Sequence, residues 1–132
     1  MEPEAAIRAI FEQGWNQGDF SGLGGVLAAR VVHHSGEASR VTGLEDLETV
    51  VRRWRSGFPD LEFKIRALVA SAEVVAAHLT LVATHQGTWA GREPTGRRIE
   101  VDHMFFFRFD GGQVVEVWEL VDATALRKHL GG

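Results

Sequence analysis

The stretch Arg97–Asp122, RRIEVDHMFFFRFDGGQVVEVWELVD, limits the folds open to this chain more than any other. Two long apolar runs, rich in the Val, Phe and Ile that favour strands, flank Asp110-Gly111-Gly112. Asp-Gly-Gly between such runs signals a tight hairpin, because the turn needs positive φ and glycine adopts it freely. Side chains alternate across a strand, so His103, Phe105, Phe107 and Phe109 share one face of the first strand. Asp102, Met104, Phe106 and Arg108 share the other. On the second strand Val117, Glu119 and Val121 oppose Glu116, Trp118 and Leu120. Both faces of the ribbon carry large apolar groups. One must cover a core or pocket; the other needs a cover of its own, from the chain or from a second subunit. Glu119 is the acid set within this apolar material.

The remaining elements follow in order. Residues 3 to about 17 read as a helix, with Ile7, Ile10, Phe11 and Trp15 at helical spacing, ended by Asn16-Gln17-Gly18-Asp19. A short helix is expected over Phe20–Ala29, weakened by Gly22, Gly24 and Gly25. Arg30–His34 reads as a short strand and Ser35–Ser39 as a loop. Gly43–Gly57 reads as a helix with Leu44, Leu47, Val50, Val51 and Trp54 inward, stopped at Phe58-Pro59-Asp60. Leu61–Val69 and Val74–Trp89 are strand-like, Ala90–Gly96 is a loop, and Asp122 is placed to cap a closing helix to Leu130. Helices first and then an antiparallel meander mean one α+β domain over residues 1–132. A strongly curved, mostly antiparallel sheet wrapped over about three helices makes a cone with an internal pocket. The remaining outer face, with Met104, Phe106 and Trp118, suits a homodimer.

Composition narrows the partners. A net charge of −4 argues against nucleic acid or an anionic membrane. No run is long enough to span a membrane, and MEPEAAIRAI has no signal-peptide pattern, so cytoplasm is the expected compartment. The absence of cysteine excludes disulfides and thiolate chemistry. With no Tyr but 4 Trp and 8 Phe, a pocket would be aromatic without a phenol donor. Trp15, Trp54, Phe58 and Phe105 are placed to line it, with Val117 on the Glu119 face and Trp89 at its mouth. Such walls suit a hydrophobic or aromatic small molecule.

A carboxylate in an apolar cavity, such as Glu119, is desolvated toward the protonation range of a general base. A C–H between two carbonyls is acidic enough that positioning plus one base would suffice. The six histidines show no zinc-like spacing, and His33 and His34 point to opposite sides of a strand, so no metal is expected. His85 is placed near the pocket rim, and His78 and His129 read as surface residues.

Several segments in order resemble the SnoaL-like polyketide cyclases of the NTF2-like cone superfamily. They are WNQGD (Trp15–Asp19), VVHHSG (Val31–Gly36), FPDLEF (Phe58–Phe63), THQGTWAGREPTGRR (Thr84–Arg98), FRFDGGQVVEVWE (Phe107–Glu119) and the tail VDATALRKHLG. The resemblance implies a cofactor-independent enzyme that closes a ring of an aromatic polyketide ester by intramolecular aldol chemistry. It puts the acid/base at Glu119, where the family has aspartate, and a hydrogen-bonding histidine at His34. Fourteen positions before the acid the family has His or Asp; this chain has Phe105. His103, about 7 Å away along the strand, is the nearest substitute on that face. Phe105 favours a rival reading, a non-catalytic binding domain for a hydrophobic small molecule, whereas Glu119 favours an enzyme. An isomerase, hydrolase or hydroxylase using the same pocket is the third reading.

Overall fold

In the computed structural model, which describes residues 1–130, Gly111 and Gly112 turn the hairpin at φ +60° and +81°. Positive φ at both central residues is what a two-residue turn matching the strand twist requires. Nothing is described for the side chains of residues 129 and 130, so the expectation for His129 falls outside the described residues. The hairpin strands are β5 (Arg98–Asp110) and β6 (Gln113–Val121). Strands β1 (Leu27–Ser35), β2 (Ala38–Thr42), β3 (Glu62–Ala70) and β4 (Val74–Thr84) complete one sheet in the order β2-β1-β6-β5-β4-β3. Helices α1 (Pro3–Ala9), α2 (Leu44–Gly57) and α3 (Ala123–Leu130) complete the α+β fold expected of the chain.

The face assignments hold along the hairpin. His103, Phe105, Phe107 and Phe109 are buried, while Met104 and Phe106 are about half exposed. Breaks in register bend the sheet at Arg108/Phe109 between β5 and β6 and at Ile65/Ala67 between β3 and β4. The curved inner face packs on α1 and its continuation, where Phe11 meets Phe63, Phe105 and Phe107 at ring-centroid distances of 5.2, 5.4 and 6.1 Å.

Three expectations need correction and one needs detail. The first helix reaches residue 17 as expected, but Ile10–Trp15 is a wider π-helical turn, and Asn16 follows it in helical backbone. The Asn16 carboxamide donates to the Phe63 carbonyl and accepts the Phe63 N–H, acting as a one-residue partner for the open edge of β3. Phe20–Val26 forms turns and β1 starts at Leu27, because a segment with Gly22, Gly24 and Gly25 gains too little from helix formation. The loop expected at Ser35–Ser39 is a tight turn at Gly36 (φ +62°), followed by β2. β4 stops at Thr84, short of Trp89.

One pairing could not be read from local pattern. β1 lies parallel to β6, the only parallel pair among those joining the six strands, and brings His33 and Ser35 beside Val117 and Glu119. At the C-terminal end the Asp122 carboxylate accepts the Ala125 N–H, the expected cap of α3, which packs on β5.

Candidate active site

The β1–β6–β5 arrangement sets three titratable side chains in a row on the inner face. His33 comes from β1, Glu119 from β6 and His103 from β5. Glu119 lies directly across from Phe105, and the diagonal neighbours on either side are the two histidines. His33 Nε2 is 2.8 Å from Glu119 Oε1, and His103 Nε2 is 3.9 Å from Glu119 Oε2. A carboxylate oxygen only accepts, so His33 Nε2 carries the proton of the shorter contact. His103 Nδ1 lies 3.2 Å from the Val101 carbonyl, another pure acceptor, so Nδ1 is its N–H. In neutral His103 the Nε2 lone pair therefore faces Glu119.

Burial pushes the His103 imidazole below its ordinary pKa, against the opposing pull of Glu119, the Val101 carbonyl and Asp102. The histidine is neutral at pH 7. Its ring stacks at 5.8 Å on Phe105 and meets the edge of Phe63 at 5.1 Å; Trp15 in turn meets Phe63 at 5.1 Å. Val117 is buried under the same face. The row stays reachable from outside, since the side chains of His33 and Glu119 keep 25% and 20% of their exposure.

His34, which the resemblance makes the hydrogen-bonding histidine of the site, points the other way. Its Nε2 donates to Glu116 at 2.7 Å, its Nδ1 meets Ser39 Oγ at 2.7 Å, and its ring stacks on Trp118 at 5.2 Å. Glu116 also takes Arg108 at 3.1 Å. The hydrogen bond from His34, followed by that from Arg108, holds its carboxyl below the ordinary range. A concavity of about 550 Å³ opens beside His34, Phe106, Arg108 and Trp118, and Glu119 also lines it. The histidine that reaches Glu119 is instead His33, two positions after buried Val31 and on the same side of the strand. That parity was the available signal. With Val31 and Val32 both apolar, the sequence did not fix it.

The expected aromatic box divides in two. Trp15, His103 and Phe105 stand with Glu119, joined by Phe11 and Phe63, which the sequence reading left out of the site. Trp54, Phe58 and Trp89 pack together at the far end of the sheet, with ring distances of 4.5 to 5.7 Å. His85 there is buried rather than on a rim; it stacks on Phe58 at 5.2 Å and bonds Thr95. His103 faces Leu79 across β4, and His85 lies six residues beyond, about 20 Å of strand away. Gly57 allows this packing, because a Cβ there would come within 2.6 Å of the Trp89 Cβ.

Among the described residues no three His, Cys, Asp or Glu side chains are arranged to hold a metal ion, and no helix is long and apolar enough to cross a membrane. The sequence profile of the SnoaL-like polyketide cyclases matches residues 5–130. AclR of Streptomyces galilaeus, described as a candidate hydroxylase, is 30% identical over 97% of this chain and 80% of its own, with a TM-score of 0.82. IdmH of Streptomyces antibioticus, described as a candidate polyketide cyclase, is 26% identical over 100% of both chains, with a TM-score of 0.84. A candidate cyclase of Acidithiobacillus ferrooxidans shares the fold at a TM-score of 0.85 and 21% identity, covering 99% of this chain and 95% of its own. No curated protein matches by sequence. With its profile matched from residue 5 to residue 130 and this fold around Glu119, the chain belongs to the SnoaL-like polyketide cyclase family.

Proposed function

We propose that this protein is an acid/base enzyme that closes a ring in an aromatic or polycyclic carbonyl compound by an intramolecular aldol reaction. The observation that supports it most is Glu119, held by the His33 N–H at 2.8 Å at the rim of a phenyl-lined face. In this reading the carboxylate takes the proton from a carbon between two carbonyls, leaving a delocalised carbanion. The carbanion attacks a ketone carbon, and the new alkoxide takes a proton back. His33 orients the base, and Trp15, Phe63 and Phe105 hold flat rings. The chain's own side chains supply every proton movement, so the reading calls for no metal or organic cofactor. The test is turnover of an anthraquinone-type polyketide methyl ester by the native protein and by Glu119→Gln.

The likeness to AclR supports a second reading, hydroxylation at the same site. Formation of an oxygenated product in place of a ring-closed one would select it. Buried Phe105, where the family has a polar group, supports a third, a site that binds and does not react.

We also infer that two copies pair through the outer sheet face and work in the cytoplasm. Met104, Phe106, Trp118 and Leu120 are 52, 54, 40 and 68% exposed there, more large apolar surface than a lone strand pair needs to show water. Sedimentation equilibrium at micromolar concentration should give a dimer, and Phe106→Glu a monomer. Monomer alone from the native chain overturns the pairing.

A further inference from the structure

We propose that the concavity between residues 17–20 and α2 is a second binding site, which takes a small carboxylate with a flat apolar body on the free edge of the Arg55 guanidinium. The site is separate from the inner face and does not depend on the reaction proposed there.

The concavity has a volume of about 430 Å³, the size of a small-molecule site. Gln17, Gly18 and Phe20 line one side, and Glu48, Arg52 and Arg55 of α2 the other. The Arg55 head is fixed in advance. Its Nη1 donates to the carbonyls of Asn16, Trp15 and Leu61 at 3.0, 3.2 and 3.4 Å. Closing the end of the first helix in this way explains a cation here, but it uses one nitrogen only. Among the described residues nothing accepts from Nε or Nη2, and both stay open to solvent. Their N–H groups form the planar fork that matches the two oxygens of a carboxylate. Gly18 borders this edge and leaves it bare, since a Cβ there would stand 3.4 Å from Nε.

Charge favours an anion in the same place. The walls set Arg52 and Arg55 against Glu48 alone, a net positive concavity in a chain of net charge −4. Glu48 meets Arg52 at 3.8 Å, a loose contact of an arginine side chain 71% exposed, so Arg52 can turn toward a ligand. The carbonyl end of the helix opposes an anion, but Nη1 already faces those oxygens. The Phe20 ring and the arginine stems supply apolar wall for a flat body. The inner face, by contrast, presents the Glu119 carboxylate, which repels an acid. The two sites stand back to back, because the Trp15 carbonyl held by Arg55 belongs to the residue whose ring meets Phe63.

The test is calorimetric binding of 2-naphthoate and of its neutral isostere 2-naphthamide at neutral pH. The native protein should bind the naphthoate at least about tenfold more tightly, and a smaller preference overturns the site. Gln17 is exposed, so Gln17→Glu should melt close to native while placing a competing carboxylate at the rim. It should bring the two probes within about threefold, and a preference kept above that overturns the site. Arg55→Lys keeps the charge without the fork and should bind naphthoate at least about fivefold more weakly than native; unchanged affinity overturns the role of Arg55. Glu119→Gln removes the inner-face acid and should leave naphthoate affinity within about twofold. A larger gain would put the probe on the inner face and overturn the site, as would saturable binding of neither probe.

Discussion

Glu119→Gln should lower turnover of the polyketide ester by about 10²–10⁴-fold, the usual worth of a positioned general base, with KM changed far less. Glutamine copies the shape of glutamate and keeps an acceptor oxygen for the His33 N–H, now 2.8 Å away. Its amide can even donate toward His103. What it loses is the capacity to take a proton. Folding should be nearly untouched, so a thermal melt close to native separates lost chemistry from lost structure. Glu119→Asp restores the residue expected of the family but withdraws the carboxylate by one methylene, about 1.5 Å. Because His33 and His103 are set for the longer side chain, that variant should fall between native and Gln. Turnover by Glu119→Gln within threefold of native would remove Glu119 from the role of base.

Phe11→Ala should cost about 3–5 kcal/mol of stability, read as a lower urea midpoint with an unchanged slope. Phe11 is 2% exposed and touches three rings from two different strands, Phe63 on β3 and Phe105 and Phe107 on β5. It is the point where α1's continuation meets the inner face. Alanine would leave a cavity walled by phenyl groups that are themselves pinned to the sheet and cannot collapse into it. A loss below about 1 kcal/mol would show that the rings move readily, and with them the wall beside His103.

The hairpin was legible because its signals are local. Asp110-Gly111-Gly112 fixes the turn, and period-2 alternation fixes which of Met104 and Phe105 faces inward. The Asp122 cap was legible for the same reason. The resemblance carried across segments too weak to mean anything singly, and it pointed to Glu119 as the candidate acid. The partner of Glu119 was out of reach of such arguments. His33 and Glu119 are 86 residues apart and meet only because β1 joins β6 in parallel, a long-range pairing that leaves no mark on either strand's own sequence. The same blindness merged two aromatic clusters into one. Trp54, Phe58 and Trp89 have the composition of pocket walls, and only the length of β4 shows that they belong to another end of the sheet. The failed helix at Phe20–Ala29 is a different kind of miss, since the three glycines that argued against it were in plain view.

The account turns on which of two adjacent histidines serves Glu119. The most direct test is the turnover of the polyketide ester by His33→Asn and by His34→Asn, side by side. Removing His33 frees the carboxylate to swing away from its working position, and should lower the rate about tenfold or more. Removing His34 alters only the outer-face contact with Glu116 and Trp118, and should leave the rate within about threefold, below the loss expected for a displaced catalytic group. The opposite order, with His34→Asn impaired and His33→Asn near native, would move the chemistry to the outer face and contradict the site described above.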